Sequence, residues 1–550
     1  MTQLPSEATV VGNFDDHVVD LSAGTFRFYR RGEEFWIEVP ESWADQVERT
    51  FEIPSPSLDQ QVVMLTGFHH QQVYWLEVEG HILAAGVNWV KDFGQYVTLG
   101  EVFLKPGKNQ KGVQEWTNNC VRCHSTPAWR GAPKENKARR GSGPAPLRVM
   151  PPLSFTESRP LDRFGELSTD AISIDPPLMP ELGISCEACH GRAEEHIELY
   201  SSPLRRYAKH LNLGDADTGI INPEKLSAEE SSRLCGSCHA PRPAMGVRPK
   251  FRDWKLKDPK YSWPDRMIRS GGRGYVAVTK SPCFAGGEFG CLTCHSMHDA
   301  PPSDQLSAGQ DGNDACIDCH STLAAELEKH THHAPESAGS LCYDCHMPHT
   351  AFNLLKATRS HQIDSPNVAV NLETGRPNGC NLCHLDRSLG WTADYLSSWY
   401  GQPKVELNER QRVVSAAVLG AMEGDAMIRA LYGWSMGWQP AQEASGRSWF
   451  VPVLAYLLND SYSAVRAVAT RSLRTVPGWD DFENDPWNPP RAGKQSKRAI
   501  RKIVDLWERD GPAPDRTGEN VLLRKDGTLN WKSTRKMLAR RDRTEVQISE

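Results

Sequence analysis

The N-terminal part of the chain alternates apolar and polar positions with a period of two. Residues 25–29 and 35–39 carry that alternation on either side of a Gly-containing turn, which predicts a β-hairpin. Residues 62–65, 73–78 and 81–90 continue it, so residues 1–115 are expected to form a β-rich domain. Past residue 395 the period lengthens. Residues 408–422, 425–436 and 451–458 predict helices, and Val465, Val468, Ala469, Leu473 and Val476 fall at helical spacing in a further one. Asn459 and Asp460 separate the last two, and Pro477–Gly478 closes the second. Such paired short helices read as HEAT-like repeats over residues 396–480, or as a small helical bundle. Residues 481–550 are Pro-rich and then basic, with Lys494, Lys497, Arg498, Arg501 and Lys502 along one helix, usually a solvated face. Between 116 and 395 neither period persists, and short helices joined by long loops are expected. The fold class is therefore α+β and multidomain.

Composition narrows the partners more than the fold. The 550 residues are 24% charged and 39% hydrophobic, in the ordinary range of folded soluble chains. A net charge of −6 argues against binding driven by nucleic-acid phosphates. No apolar run reaches the roughly 18 residues that a transmembrane helix needs. Residues 131–146 form a basic, Pro/Gly-rich stretch with Lys134, Lys137, Arg139 and Arg140, read as a solvated loop.

The cysteines change the picture. Fourteen of the fifteen fall in one pentapeptide pattern, Cys-x-x-Cys-His, which occurs seven times. The segments are Cys120, Cys123 and His124; Cys186, Cys189 and His190; Cys235, Cys238 and His239; and Cys291, Cys294 and His295. Cys316, Cys319 and His320, then Cys342, Cys345 and His346, and finally Cys380, Cys383 and His384 complete the set. Composition alone predicts on the order of 0.01 such segments per chain. Two thiols three positions apart reach the two vinyl groups of one porphyrin, and the adjacent imidazole then lies under its iron. The pattern thus predicts seven covalently bound haems c. Zinc would group the segments in pairs, which an odd number defeats, and would not need a His after every second Cys. A disulfide framework suits this spacing still less, because such loops favour redox exchange.

Seven of the nineteen histidines are then proximal ligands, leaving twelve. Second axial ligands are expected among His196, His298, His333, His349 and His361, each poised to reach a neighbouring iron rather than its own segment's. One of His69 and His70, in a stretch that reads as a strand, is expected to supply another. His17, His81 and His210 read as surface residues, and His330 and His332 as the extension of a helix end. Six distal candidates for seven irons leave room for one open iron.

The segments NCVRCHST, GISCEACHG with a following His, LCGSCHA, GCLTCHSMH, ACIDCH, SLCYDCHMPH and GCNLCH, in this order, resemble multihaem cytochromes of the cytochrome c-552/c-554, octahaem-related type. The resemblance spans nearly the whole chain and includes a group with C-terminal helical repeats. It implies covalent haem at every segment. It also implies one further segment upstream of the β-rich part, hence an eighth haem beyond Met1. Residues 1–10 lack the basic and apolar regions of a secretory leader, whereas haem c is attached outside the cytoplasm. The expectation is a periplasmic or otherwise extracytoplasmic protein whose leader is not in this sequence. No Cys-x-x-Cys-Lys occurs, and no tyrosine is placed to cross-link a haem, so the nitrite and hydroxylamine activities of the type lose ground. Cys283, the one cysteine outside the pattern, lies eight residues before Cys291 and reads as a buried thiol or as a thiolate beside the fourth haem. Three functions follow: a carrier passing single electrons between redox donor and acceptor proteins; an oxidoreductase acting on a small nitrogen or sulfur compound at an open iron; or a redox scaffold that docks a partner on its helical repeats.

Overall fold

The structure, a computed structural model, describes residues 2–102, 113–126, 181–191, 193–211, 220–240, 262–269, 271, 273–352, 355–487 and 493–546. The basic stretch 131–146 lies outside them. The chain forms two compact units, one made of residues 1–99, 111–252 and 287–292, the other of 100–110, 253–286 and 293–550.

The first unit is built on one antiparallel sheet. Its strands are β1 (Thr2–Gln3), β2 (His17–Leu21), β3 (Gly24–Arg31), β4 (Glu34–Glu38), β5 (Asp59–Thr66), β6 (Gln71–Val78), β7 (His81–Val90) and β8 (Gln95–Thr98). β2 to β8 pair in sequence order, and β1 adds to β5. The sheet curls until the hydroxyls of Ser22 and Thr98 are 3.1 Å apart. Glu79 and Gly80, both with positive φ, make the two-residue β6–β7 turn, whose twist matches the flanking strands. The expected hairpin at residues 25–39 is β3 and β4. A helix, α1 (Glu41–Phe51), buries Trp43, Ala44 and Val47, and the Trp43 indole N–H donates to the Ala84 carbonyl at 3.0 Å.

Strict alternation fails where the sheet must bury both faces. A register shift between Val73 and Trp75 lets adjacent residues enter different clusters. Tyr74 joins Phe14, Phe28 and Tyr96 in the main core, where the Phe28 and Tyr96 rings stack at 3.6 Å. Trp75 joins Met64, Ala84, Trp116 and Val121 in a second cluster. Val121 belongs to the first Cys-x-x-Cys-His segment, so the second cluster is what seats that segment on the sheet. His69 and His70 correct the strand expected there. They sit in the bend between β5 and β6, because Gly67 (φ +86°) turns the chain so tightly that a Cβ would strike the Gln71 carbonyl.

The second unit holds the later segments and an all-helical region. The helix expected over 408–422 is broken in two, Glu409–Val413 and Ala416–Glu423, because Val414 is extended and the Ser415 hydroxyl caps the second piece. Ala426–Ser435, Val451–Leu457 and Ser463–Leu473 follow close to expectation, the first capped by the Asp425 carboxylate. Lys494–Asp510 buries Ile500, Val504 and Trp507 beneath its basic face, and Trp531–Leu538 ends the order. A buried ion pair ties these helices together: the Arg429 guanidinium meets the Asp460 carboxylate at 2.7 and 2.9 Å, the two side chains 3% and 0% exposed. Arg541 reaches the same carboxylate at 3.2 Å. Among the described residues no helix is long and apolar enough to cross a membrane.

A buried pair costs most when only one partner is removed. Asp460→Asn is expected to destabilise the helical region by about 3–5 kcal/mol, and Arg429→Met with Asp460→Leu by less than either single change. Chemical denaturation followed by circular dichroism tests this; a double variant no better than the singles contradicts it.

Candidate metal centres

The Cys-x-x-Cys-His segments fold as single helical turns. The His amide donates to the first Cys carbonyl, as from His124 to Cys120 at 3.0 Å, from His190 to Cys186, His239 to Cys235 and His320 to Cys316 at 2.9 Å, and from His384 to Cys380 at 2.8 Å. Positions i, i+3 and i+4 of such a turn share a face. Both thiols and the imidazole therefore project to one side, as attachment to one porphyrin with an axial imidazole requires.

The second requirement is a free ring nitrogen. His190 Nδ1 lies 2.7 Å from the Ile221 carbonyl, His295 Nδ1 3.2 Å from Gln305, and His346 Nδ1 3.0 Å from Asp364. A carbonyl only accepts, so in each ring Nδ1 carries the proton and donates it, leaving the Nε2 lone pair for a metal. The polar loops after these segments supply the carbonyls, 10 to 31 residues downstream.

In the second unit three segment imidazoles each face another imidazole. Ring centroids are 6.2 Å apart for His295 and His361, 6.2 Å for His346 and His330, and 5.9 Å for His384 and His333, with interplanar angles of 24°, 8° and 28°. Two imidazoles on opposite sides of one metal, each bonded at about 2 Å, bring their centroids to roughly 6 Å. Rings in direct stacking contact approach closer, as His332 does on Trp399 at 4.1 Å. The pairs thus fit an iron between them. His333 is itself pinned, its Nδ1 2.7 Å from the Thr331 carbonyl. Gly339 packs so close to its ring that a Cβ there would collide. Burial, with His333 nearby, pulls His384 down to about 4. Burial also lowers His346. Both shifts favour the neutral ring, the form that ligates metal.

Segments also lie close to one another. In the first unit the Cys123 thiol is 3.8 Å from the Cys238 carbonyl, Cys189 lies near Cys238, and the Cys235 and Cys291 side chains lie close together. In the second, Cys316 and Cys342 lie close together, and Cys345 lies near Cys380 and Cys383. Among the described residues no three His, Cys, Asp or Glu side chains converge as a zinc site demands, and no disulfide forms.

The other histidines singled out from sequence lie as follows. His69 is exposed beside Phe68, and the His70 carbonyl accepts from the Lys91 amide. His196 packs on Tyr200, and His298 is exposed in the loop after the fourth segment. His349 is wedged against Trp434 and Trp438 at 4.5 and 4.8 Å, and burial pulls it down to about 3. Cys283 lies near Cys316 of the fifth segment. His330 was not singled out. It does end a helix, Leu327–Thr331, but its ring faces His346. The available signal was local density, three histidines in four residues just ahead of a segment.

Residues 302–385, which hold the last three segments, match the family described as cytochrome c7 and related cytochrome c. The multiheme cytochrome MtrA of Shewanella baltica (strain OS185) is 25% identical over 215 residues, 39% of this chain and 46% of that protein, so the match spans under half the relative's length. No solved structure matches significantly. With the seven attachment segments, these similarities support a multihaem cytochrome c that transfers electrons by way of several covalently bound haems.

Proposed function

We propose that the chain is an electron conduit, carrying single electrons between a donor and an acceptor protein outside the cytoplasm, with one haem c on each of its seven segments. The observation that carries this reading is the set of three imidazole pairs at the separation of two axial ligands. Two protein ligands leave no open position at those irons, which favours a carrier over an enzyme. When bound, haem c supplies reversible one-electron chemistry. The protein's own part is to fix each porphyrin by two thioethers, to hold each imidazole in the Nδ1–H tautomer, and to crowd neighbouring segments together. Further distal ligands are proposed to be His349, His298, His196 and one of His69 and His70. The reading extends to the cytochrome c-552/c-554 type and to HEAT-like repeats over 396–480 as a surface for partners. A second reading, a small nitrogen or sulfur compound reacting at an open iron, centres on the fifth segment, where Cys283 lies near Cys316.

Low-temperature electron paramagnetic resonance of the oxidised, haem-loaded protein separates the two. The near-parallel rings of the three pairs predict rhombic low-spin signals, and a titration should take up seven electrons per chain. A high-spin signal worth one iron per chain would replace the conduit by the enzyme.

Gly339→Ala supplies a local check. The added Cβ should push His333 away and turn the iron at His384 high-spin while the other signals persist. A folded variant with an unchanged spectrum removes His333 from the ligand set.

A further inference from the structure

One four-residue stretch, His330 to His333, places imidazoles opposite two different segments, His346 and His384. The backbone explains how. The helix α2 (Leu327–Thr331) carries His330 in its last turn and ends at His332, whose φ of +57° is left-handed. The chain reverses there, so His333 leaves in a new direction. Side chains with a Cβ disfavour this conformation, and a turn that aims two ligands needs to be held.

Locally the His333 amide donates to the Thr331 hydroxyl at 3.3 Å and the Ser340 hydroxyl donates to the His333 carbonyl at 3.0 Å; from outside, the turn is braced by the far end of another helix, α3 (Leu389–Tyr400). The Trp399 ring stacks on His332 at 4.1 Å with an interplanar angle of 13°. The Tyr400 hydroxyl donates to the His330 carbonyl at 2.6 Å. The near end of α3 is fixed to the seventh segment. Trp391 packs on His384 at 5.0 Å, and the Thr392 hydroxyl donates to the Asn381 side chain at 2.8 Å. Trp391, Tyr395 and Trp399 follow one another at i+4 spacing, with ring centroids 4.7 and 4.5 Å apart, so the two ends are joined by a packed aromatic stripe.

We infer that α3 is a positioning element for two axial imidazoles at once, with Trp399 holding the left-handed turn at His332 and Tyr400 holding the carbonyl of His330. This rests on the reading above that His330 and His333 are axial ligands. Trp399 and Tyr400 touch no metal in it; they act through the turn. The consequence is that the sixth and seventh centres share one support, and a change in it alters both.

The test uses the full-length, haem-loaded protein and reads the low-spin resonance signals and midpoint potentials of the individual irons. His330→Met and His333→Met should each change one signal, which identifies the two irons. Trp399→Leu should then abolish both native signals together, whereas Trp399→Phe, which keeps a ring, should restore them. Tyr400→Phe should shift only the His330-linked signal and potential. If the two His→Met variants change the spectrum but Trp399→Leu leaves both signals native, the positioning role is overturned and the ligand reading stands. If neither His→Met variant changes anything, the ligand reading itself falls, and the inference with it. Should Trp399→Leu not accumulate, Tyr400→Phe decides, and an unshifted His330-linked potential overturns the proposal.

Discussion

Everything in the segment region depends on one requirement: an imidazole must present Nε2 from the same side of the chain as two thiols. A single helical turn meets the second half of that requirement by geometry alone, because its His follows the first Cys by four residues. It does nothing for the first half. The tautomer is set by what Nδ1 finds, and at His190, His295 and His346 it finds a backbone carbonyl from a later loop. Those loops look featureless in sequence, yet each delivers one acceptor at hydrogen-bond distance. A carbonyl has two lone pairs, and that of Gln305 serves both His295 Nδ1 and the Ser296 amide.

The two units are stabilised in different ways around these turns. In the first, the sheet has an aromatic cluster around Phe28, Tyr74 and Tyr96 and a second around Trp75 and Trp116, the latter reaching the first segment through Val121. In the second, the helices after residue 415 bury long apolar runs and a charged pair, Arg429 with Asp460.

How much of this could be read beforehand varies with the range of the interaction. The seven segments, the β3–β4 hairpin and the helices from 426 to 473 are local patterns, and periodicity or spacing reveals them. The break at Ser415 is local too, but it turns on one hydroxyl choosing a capping role, which a pattern of apolar residues does not register. His69 and His70 looked like strand because their neighbours are strand, while Gly67 decides the matter. Pairing of imidazoles is the least legible. His361 faces His295 from 66 residues away and His330 faces His346 from 16, and no spacing rule connects them. His330 and His332 are chemically identical and two positions apart. Two positions apart at a helix end they point to different sides, one to a segment and the other onto Trp399.

The His332 turn also bears on the order in which the centres can be completed. Thioethers at the sixth segment need only Cys342 and Cys345, so they can form as soon as that turn exists. The imidazole opposite His346 comes from upstream, at His330, yet the groups that steady it, Trp399 and Tyr400, lie downstream of the seventh segment. Until residue 400 is present and α3 has packed on His384 through Trp391, the His332 turn has only its local bonds to Thr331 and Ser340 and lacks the Trp399 and Tyr400 contacts. On the inference drawn above, the sixth centre is therefore finished no earlier than the seventh, even though its attachment cysteines come first. Two centres that share a support in this way are matched by construction. Shifting the turn moves both axial imidazoles, and neither centre can be tuned through that turn without the other.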